Sequence, residues 1–585
     1  MADRSISLVF GTALLAIANV AARADGSVDS AEEKARAAEC AAFRRACERC
    51  GQDAAGMSVG LASSMANVRP RADIIPAVPL RGVHVRLARG ESESVQIVVM
   101  PGDSGLRNVR VSVSDLERRG GSFFGLFGDT LPAKNIDCSV VGYVLTTNRP
   151  PYRVGFWPEA GVRKCERVKP GWWPDPILDF MDSTDIAQGD VQSFWIRVRC
   201  PRDQPAGEYH GVLAVAADNA GVFRVPFRAR VYDFSVPESS PLPLAITFAP
   251  PRSGEPGRIV AAREAEWGDF LSDYYITMDS LYHRGDIRWD VLQDLRKRGR
   301  LGYFNLGYWD GLGDGPGAEA KWRGTTLARL RDAYSRAKEL DLLDHAYVYG
   351  CDEAKTNSFD DVRRAAEILK KELPGVPIST TALDFDYGVG TRLSAIDWFT
   401  PLTKYFNPEK ARISRRAGHQ VWWYICCIPP APHANMFVEC PLIEGRFLMG
   451  AAAVRQRPDG FLYYQTAAWK SPGCITSGPF TDWNACTWQT FNGDGCWTCV
   501  GPNGRPLATM RLENFRDGLE DYAYAMKLEE LLRKRRPGRN DRWAGRAREL
   551  LAVPARVMKS MTEFTGDPND ILEWRDEMAE LIESF

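Results

Sequence analysis

Eight short apolar runs follow one another through the middle of this chain, at residues 244–248, 275–278, 303–307, 345–351, 378–383, 396–399, 421–425 and 460–464. They have the length and the β-branched or aromatic content of strands. Between several of them lie segments with helical spacing, at 327–340, 360–373, 408–416 and 441–455. Strands separated by helices are expected to pair in parallel, because the helix is the crossover that a parallel neighbour requires. Eight such units in about 250 residues predict a (β/α)8 barrel, which we place at 242–495. In that fold the chemistry stands at the carboxyl ends of the strands.

The fourth run ends in Cys351-Asp352-Glu353. Side chains alternate faces along a strand, so neighbouring carboxylates can share one pocket only where the strand stops and the chain turns. A helix is expected from about Ser358, which puts the turn at these two residues. Asp352 and Glu353 are therefore the candidate catalytic pair. The plainer reading is a solvated first turn whose acids complement the helix dipole.

Residues 68–236 carry short alternating runs, at 83–87, 94–99, 109–113, 193–198, 211–216 and 223–231, with Gly, Pro and Asp between them. That pattern predicts a β-sandwich. The Pro- and Ser-rich stretch 235–243 is the linker to the barrel. Behind the barrel, 496–585 reads as a C-terminal hairpin around Gly501-Pro502-Asn503-Gly504 and a helical extension. At the other end, Arg4, the apolar run 6–20 and Ala22-Arg23-Ala24 read as a signal peptide over 1–24, followed by a mobile or helical leader at 25–67. An exported protein is expected, whether periplasmic, secreted or held at the cell surface. No later run reaches 18 uninterrupted apolar residues, so no membrane span is expected after cleavage.

With 74 basic and 75 acidic residues the formal net charge is -1. Such a balance gives no electrostatic footprint for nucleic acid and suits a neutral ligand. The 17 Trp and 19 Tyr allow stacking on the C–H faces of sugars, although most belong to cores. Fourteen cysteines in an exported chain predict some disulfides without fixing their pairing. Cys47-Glu48-Arg49-Cys50 and Cys496-Trp497-Thr498-Cys499 each offer half a zinc site with no second half nearby, so neither metal nor other cofactor is expected.

Several further motifs share one resemblance. Asp352-Glu353 is followed by Trp422-Trp423-Tyr424-Ile425-Cys426-Cys427, residues 430–435, Gly460-Phe461-Leu462-Tyr463-Tyr464, Arg511-Leu512-Glu513 and residues 516–522, and is preceded by 89–95. In order and spacing the chain resembles glycoside hydrolase family 123. The resemblance implies a β-N-acetylgalactosaminidase with an N-terminal β-sandwich and a catalytic barrel, acting on a glycan or glycoconjugate. It also implies Glu353 as acid/base and Asp352 as its partner. The sequence departs from the family where Ala354 stands in place of an expected Pro.

The residues themselves fit that chemistry. Two carboxylates flanking a scissile bond must stand apart by the width of a sugar. Adjacent carboxylates suit instead a retaining, substrate-assisted route in which the 2-acetamido oxygen attacks the anomeric carbon. An acetamide needs an apolar wall and a hydroxyl donor, so the substrate-binding candidates at or after the last three strands are Trp398, Trp423, Tyr424, Asn435, Tyr464 and Trp469. Two other functions stay open: a non-catalytic carbohydrate-binding protein, and an inverting glycosidase pairing Glu353 with Asp384 or Asp386 across a water. The 516–522 stretch is read as structural, its charges making ion pairs.

Overall fold

The computed structural model describes residues 28–71, 74–119, 130–157, 163–251, 255–535 and 541–585; the expected signal at 1–24 lies outside them. The leader is a helix, Val28–Arg49. It docks on the sandwich, where a Cβ at Gly60 would stand only 2.7 Å from the Phe43 ring.

The N-terminal module has two large sheets around one apolar core, with a small two-stranded sheet of Arg153–Phe156 and Lys164–Arg167 beside them. One sheet runs in the order Gly171–Leu178, Ile136–Thr146, Gln192–Arg199, Ser92–Pro101, Met57–Ser63, Val78–Pro79. The other contains Thr184–Ile186, Leu106–Val113, Gly207–Ala217, Gly221–Ser235 and Val83–Arg89. Gly221–Ser235 shows why alternation was legible here, its inward residues buried and most outward ones exposed. Met57–Ser63 lies ahead of the boundary read at 68. It is covered on both faces, so its sequence carries no alternation.

The region that follows the linker is built of parallel strands. Five of them, Phe304–Trp309, Ala346–Gly350, Ile378–Thr380, Trp398–Phe399 and Gln420–Val421, form a half-barrel sheet in that order. Leu244–Ile246, Phe461–Tyr463 and Trp423–Ile425 form a second parallel sheet. Val421 and Trp423 lie on one extended run, and Leu402 bridges Tyr424, so the two arcs meet there. The expected run 275–278 joins no ladder; its successor Asp279 makes an isolated bridge to Thr247. Helices Ala328–Glu339, Phe359–Glu372 and Pro408–Arg416 follow three of the strands, whereas no helix follows Ile378–Thr380 before the next strand.

Period two explains the layering. Tyr347 and Tyr349 point inward with Trp398, Trp422, Tyr424 and Leu462. Ala346 and Val348 point outward, against a layer containing Val362, Ala366 and Leu369.

The modules are joined by buried charge. Helix Met510–Arg535 is buried along most of its length. Arg446, fully inaccessible, binds Asp521 at 2.8 Å and Glu93 of the sandwich at 3.0 Å. Arg575, from the helix Pro568–Glu583, holds Glu91 and Glu93, each at 2.8 Å. Glu513 lies between Arg197 of the sandwich at 2.6 Å and Arg516 at 3.0 Å. The 516–522 charges thus form ion pairs, and the network crosses the module seam as well as running along the helix. Burial pushes the Glu513 carboxyl up, but Arg197 and Arg516 outweigh it and hold it down at about 2, against an ordinary 4.5. A depressed folded value contributes stability above the unfolded one and loses it as pH falls through the folded one. Urea unfolding of the protein and of Glu513→Gln should therefore converge as pH drops from 4.5 toward 2. A gap that stays constant across that window would refute the assignment.

None of the fourteen cysteines forms a disulfide, which corrects the expectation of disulfides. Six of them are buried as small apolar side chains. The adjacent Cys426 and Cys427 keep their sulfurs 4.0 Å apart. No helix among the described residues is long and apolar enough to cross a membrane.

Candidate active site

The wholly buried strand Ala346–Gly350 brings the chain to the mouth of the half-barrel. Gly350 is required there, because a Cβ would meet the Trp309 carbonyl at 2.0 Å. Cys351 and Glu353 then take φ of 48° and 49°, in the left-handed region. Those two rotations break the alternation, and both carboxylates stand at the mouth.

A ring of hydroxyls holds the pair. Asp352 Oδ1 accepts from the Tyr349 phenol at 2.5 Å and from Thr381 Oγ1 at 2.7 Å, and Oδ2 accepts from Tyr282 at 3.4 Å. The Asp352 N–H donates to the Tyr308 hydroxyl at 3.2 Å. Thr381 Oγ1 also accepts the Glu353 N–H at 2.9 Å, so one hydroxyl clamps both residues. Glu353 Oε1 accepts from the Tyr424 phenol at 2.7 Å. Burial, with the nearby Asp352 carboxylate adding to it, pushes the Tyr282 phenol upward, and burial, the Tyr282 phenol and then Asp352 push Tyr349 upward. Burial pushes Tyr424 up as well, reinforced by its hydrogen bond to Glu353. The hydroxyls consequently remain protonated donors, and Asp352 is fixed as an acceptor.

This arrangement differs from a solvated first turn. The helix Phe359–Glu372 opens later, and the acids of its first turn are Asp360 and Asp361. Asp352 and Glu353 are tied to side chains from four other strand ends and loops.

Of the six expected substrate contacts, Tyr424 touches the pair. Trp398 lies a layer deeper, stacked on Trp422 at 4.6 Å and packed on Tyr347 at 5.5 Å. Trp423 falls on the opposite face from Tyr424 and packs on Phe406 at 5.4 Å. The Asn435 amide donates to the Cys426 and Pro429 carbonyls and pins that loop. Trp469 donates to the Thr498 carbonyl at 2.7 Å and packs with Phe248 and Trp267. Trp398, Trp423, Asn435 and Trp469 are thus consumed by packing or loop anchoring rather than presented to a ligand. Tyr464 stands at the rim beside Trp488, its hydroxyl close to Gly495 and next to the buried Asp494, whose carboxyl burial pushes up to about 6.

Asp384 accepts from the N–H groups of Asp386 and Gly388 and from the Thr391 hydroxyl. Asp386 pairs with Lys410 at 2.8 Å. Both are engaged in shaping their own loop. Sequence reasoning missed Tyr282, Tyr308, Tyr349 and Thr381. Tyr349 was within reach, since it shares the inward phase of Tyr347. Among the described residues no group of three or more His, Cys, Asp or Glu is arranged to hold a metal.

Comparison with known proteins gives two matches to sequence models. Residues 310–528 match "Glycoside hydrolase 123, catalytic domain", and residues 83–217 match "Glycoside hydrolase 123 N-terminal domain". Together they account for more than half of the chain. Among solved structures, a family 123 glycoside hydrolase from Clostridium perfringens, studied for glycolipid glycan hydrolysis, superposes with a TM-score of 0.63 at 16% identity. That match covers 90% of this chain and 97% of the other, and shows a shared fold. A family 39 glycoside hydrolase from Bacteroides cellulosilyticus WH2 gives a TM-score of 0.30 at 10% identity over 75% of this chain and 81% of that one, too weak to carry an argument. No curated protein matches the sequence.

Proposed function

Since this chain belongs to glycoside hydrolase family 123, we propose that it is an exported glycosidase removing β-linked N-acetylgalactosamine, or a related 2-acetamido sugar, from glycolipid glycans. The reaction is retaining and substrate-assisted, at the mouth of a barrel built from the two parallel arcs. The observation that carries this reading is the adjacency itself. Both carboxylates share one turn, and Asp384 and Asp386 are engaged elsewhere, which leaves the nucleophile to the substrate.

In this reading the acetamide oxygen attacks the anomeric carbon while the bond to the leaving oxygen breaks, and Glu353 supplies the proton that the leaving oxygen takes. Asp352 accepts the acetamide N–H and offsets the positive charge of the oxazolinium ion. Its two oxygens are oriented in advance by Tyr349, Thr381 and Tyr282, so little reorganisation accompanies the reaction. Tyr424 supplies the hydroxyl that can pass from Glu353 to the acetamide oxygen. Water then opens the ring, with Glu353 as base, and the anomeric configuration is retained.

The test is a pair of aryl β-glycosides that differ only at C2. The 2-acetamido sugar should be hydrolysed faster than the 2-hydroxy sugar by about a thousandfold or more, because an intramolecular nucleophile is lost. Equal rates would mean that the protein carries its own nucleophile. Release of no chromophore from either would favour a binding protein. Asp352→Asn should lower kcat about a hundredfold or more on good and poor leaving groups alike, since charge stabilisation is lost whatever departs.

A further inference from the structure

Two aromatic rings stand over 40% exposed on the Glu353 side of the mouth, Phe385 at 43% and Tyr405 at 44%. Their exposure is not the result of a loose loop. The Asp384 carboxylate gathers the Asp386 and Gly388 N–H groups and the Thr391 hydroxyl beneath Phe385. Lys410 Nζ donates to the Phe385 carbonyl at 3.1 Å, and the Tyr387 phenol donates to the Tyr405 carbonyl at 2.7 Å. The rings meet edge to face, 5.0 Å apart at 62°. Lys404 Nζ lies 4.5 Å over the Tyr405 ring and occupies one of its faces.

A small crevice beside these rings, lined by Thr381, Asp384, Phe385, Leu402, Tyr405 and Tyr424, adjoins the acidic pair through two of its residues. Thr381 and Tyr424 each hydrogen-bond the pair, Tyr424 through Glu353 itself. A general acid must reach the glycosidic oxygen, so the substrate leaves that oxygen on the side of the acid. Asp352 shares Thr381 with that crevice and also reaches Tyr282 and, through its backbone N–H, Tyr308, whereas Glu353 is the carboxylate bonded to Tyr424.

We infer that Phe385 and Tyr405 form the leaving-group subsite and seat the C–H face of a second pyranose. This rests on the reading of Glu353 as the acid. The pinned loops present the rings already ordered, so stacking a sugar on them immobilises little further chain. The C–H groups of a pyranose meet the electron-rich ring faces and shed the water covering them.

The test uses three β-glycosides of one 2-acetamido sugar, with methyl, n-octyl and hexopyranose leaving groups. Phe385→Ala/Tyr405→Ala should lower the ratio of kcat/KM for the disaccharide over the methyl glycoside by roughly thirtyfold, the effect of losing two stacking faces. Tyr405→Phe, which keeps the ring, should retain the wild-type ratio. An unaltered ratio in the double variant overturns the subsite, and so does a loss confined to the octyl glycoside, which would mark an alkyl seat. Should the unmodified protein hydrolyse none of the three, the assignment of Glu353 falls and takes the subsite with it; hydrolysis of all three without discrimination defeats the subsite alone.

Discussion

Glu353→Gln should cut kcat/KM on a disaccharide by about 10² to 10⁴, the range that general acid catalysis supplies, and cut the first step on a dinitrophenyl glycoside far less. The glutamine side chain is nearly isosteric and keeps an oxygen for the Tyr424 phenol, while the backbone N–H that Thr381 Oγ1 accepts is untouched, so the turn is preserved. What it loses is the proton. A dinitrophenolate departs without one, whereas a sugar alkoxide does not. The second step needs Glu353 as base for water, so the variant should release a burst of dinitrophenolate and then slow. Steady-state and pre-steady-state rates on the two substrates separate these effects. A comparable fall on both in the first step would remove Glu353 from the role of acid.

Arg446→Met should cost on the order of 3–5 kcal/mol, the penalty for stripping one partner from a buried ion pair. Arg446 is fully buried and opposes Glu93, Asp521 and Asp517. Burial pushes the Asp521 carboxyl up and Arg446 pulls it back, so removing the cation favours a protonated Asp521. The penalty should accordingly be smaller at pH 5 than at pH 8, as the stranded acid takes up a proton. Urea denaturation at both pH values measures it. A change below about 1 kcal/mol at pH 8 would reduce this pair to the standing of a surface ion pair.

How much of the molecule was legible depended on which physical signal each residue carried. The turn at Asp352-Glu353 could be read because an apolar strand ending in two acids is a local pattern. Tyr424 could be read for the same reason, but its neighbour Trp423 could not also face the cleft. Period two sends adjacent residues to opposite sides, and the structure gives the inward side to Trp422 and Tyr424. Asn435 and Trp469 sit in loops, where no periodicity tells an anchor from a ligand contact. Tyr282, Tyr308 and Thr381 reach the pair from three other segments of the chain, an approach that only the tertiary fold creates. The 516–522 charges announced ion pairs, whereas their partners Arg446 and Arg575 lie on an earlier helix and on the last one.

Glu353 has a consequence beyond its chemistry. An L-residue held at φ 49° costs roughly 1–2 kcal/mol relative to ordinary backbone, and glycine or asparagine would fill that turn with less strain. A selection that scored thermal stability alone would therefore discard the glutamate early, and Cys351 at φ 48° would be exposed to the same pressure. On the proposed mechanism, a stabilised descendant of this chain would be recognised by a relaxed turn and an idle cleft, and a library meant to preserve turnover must hold Asp352 and Glu353 fixed.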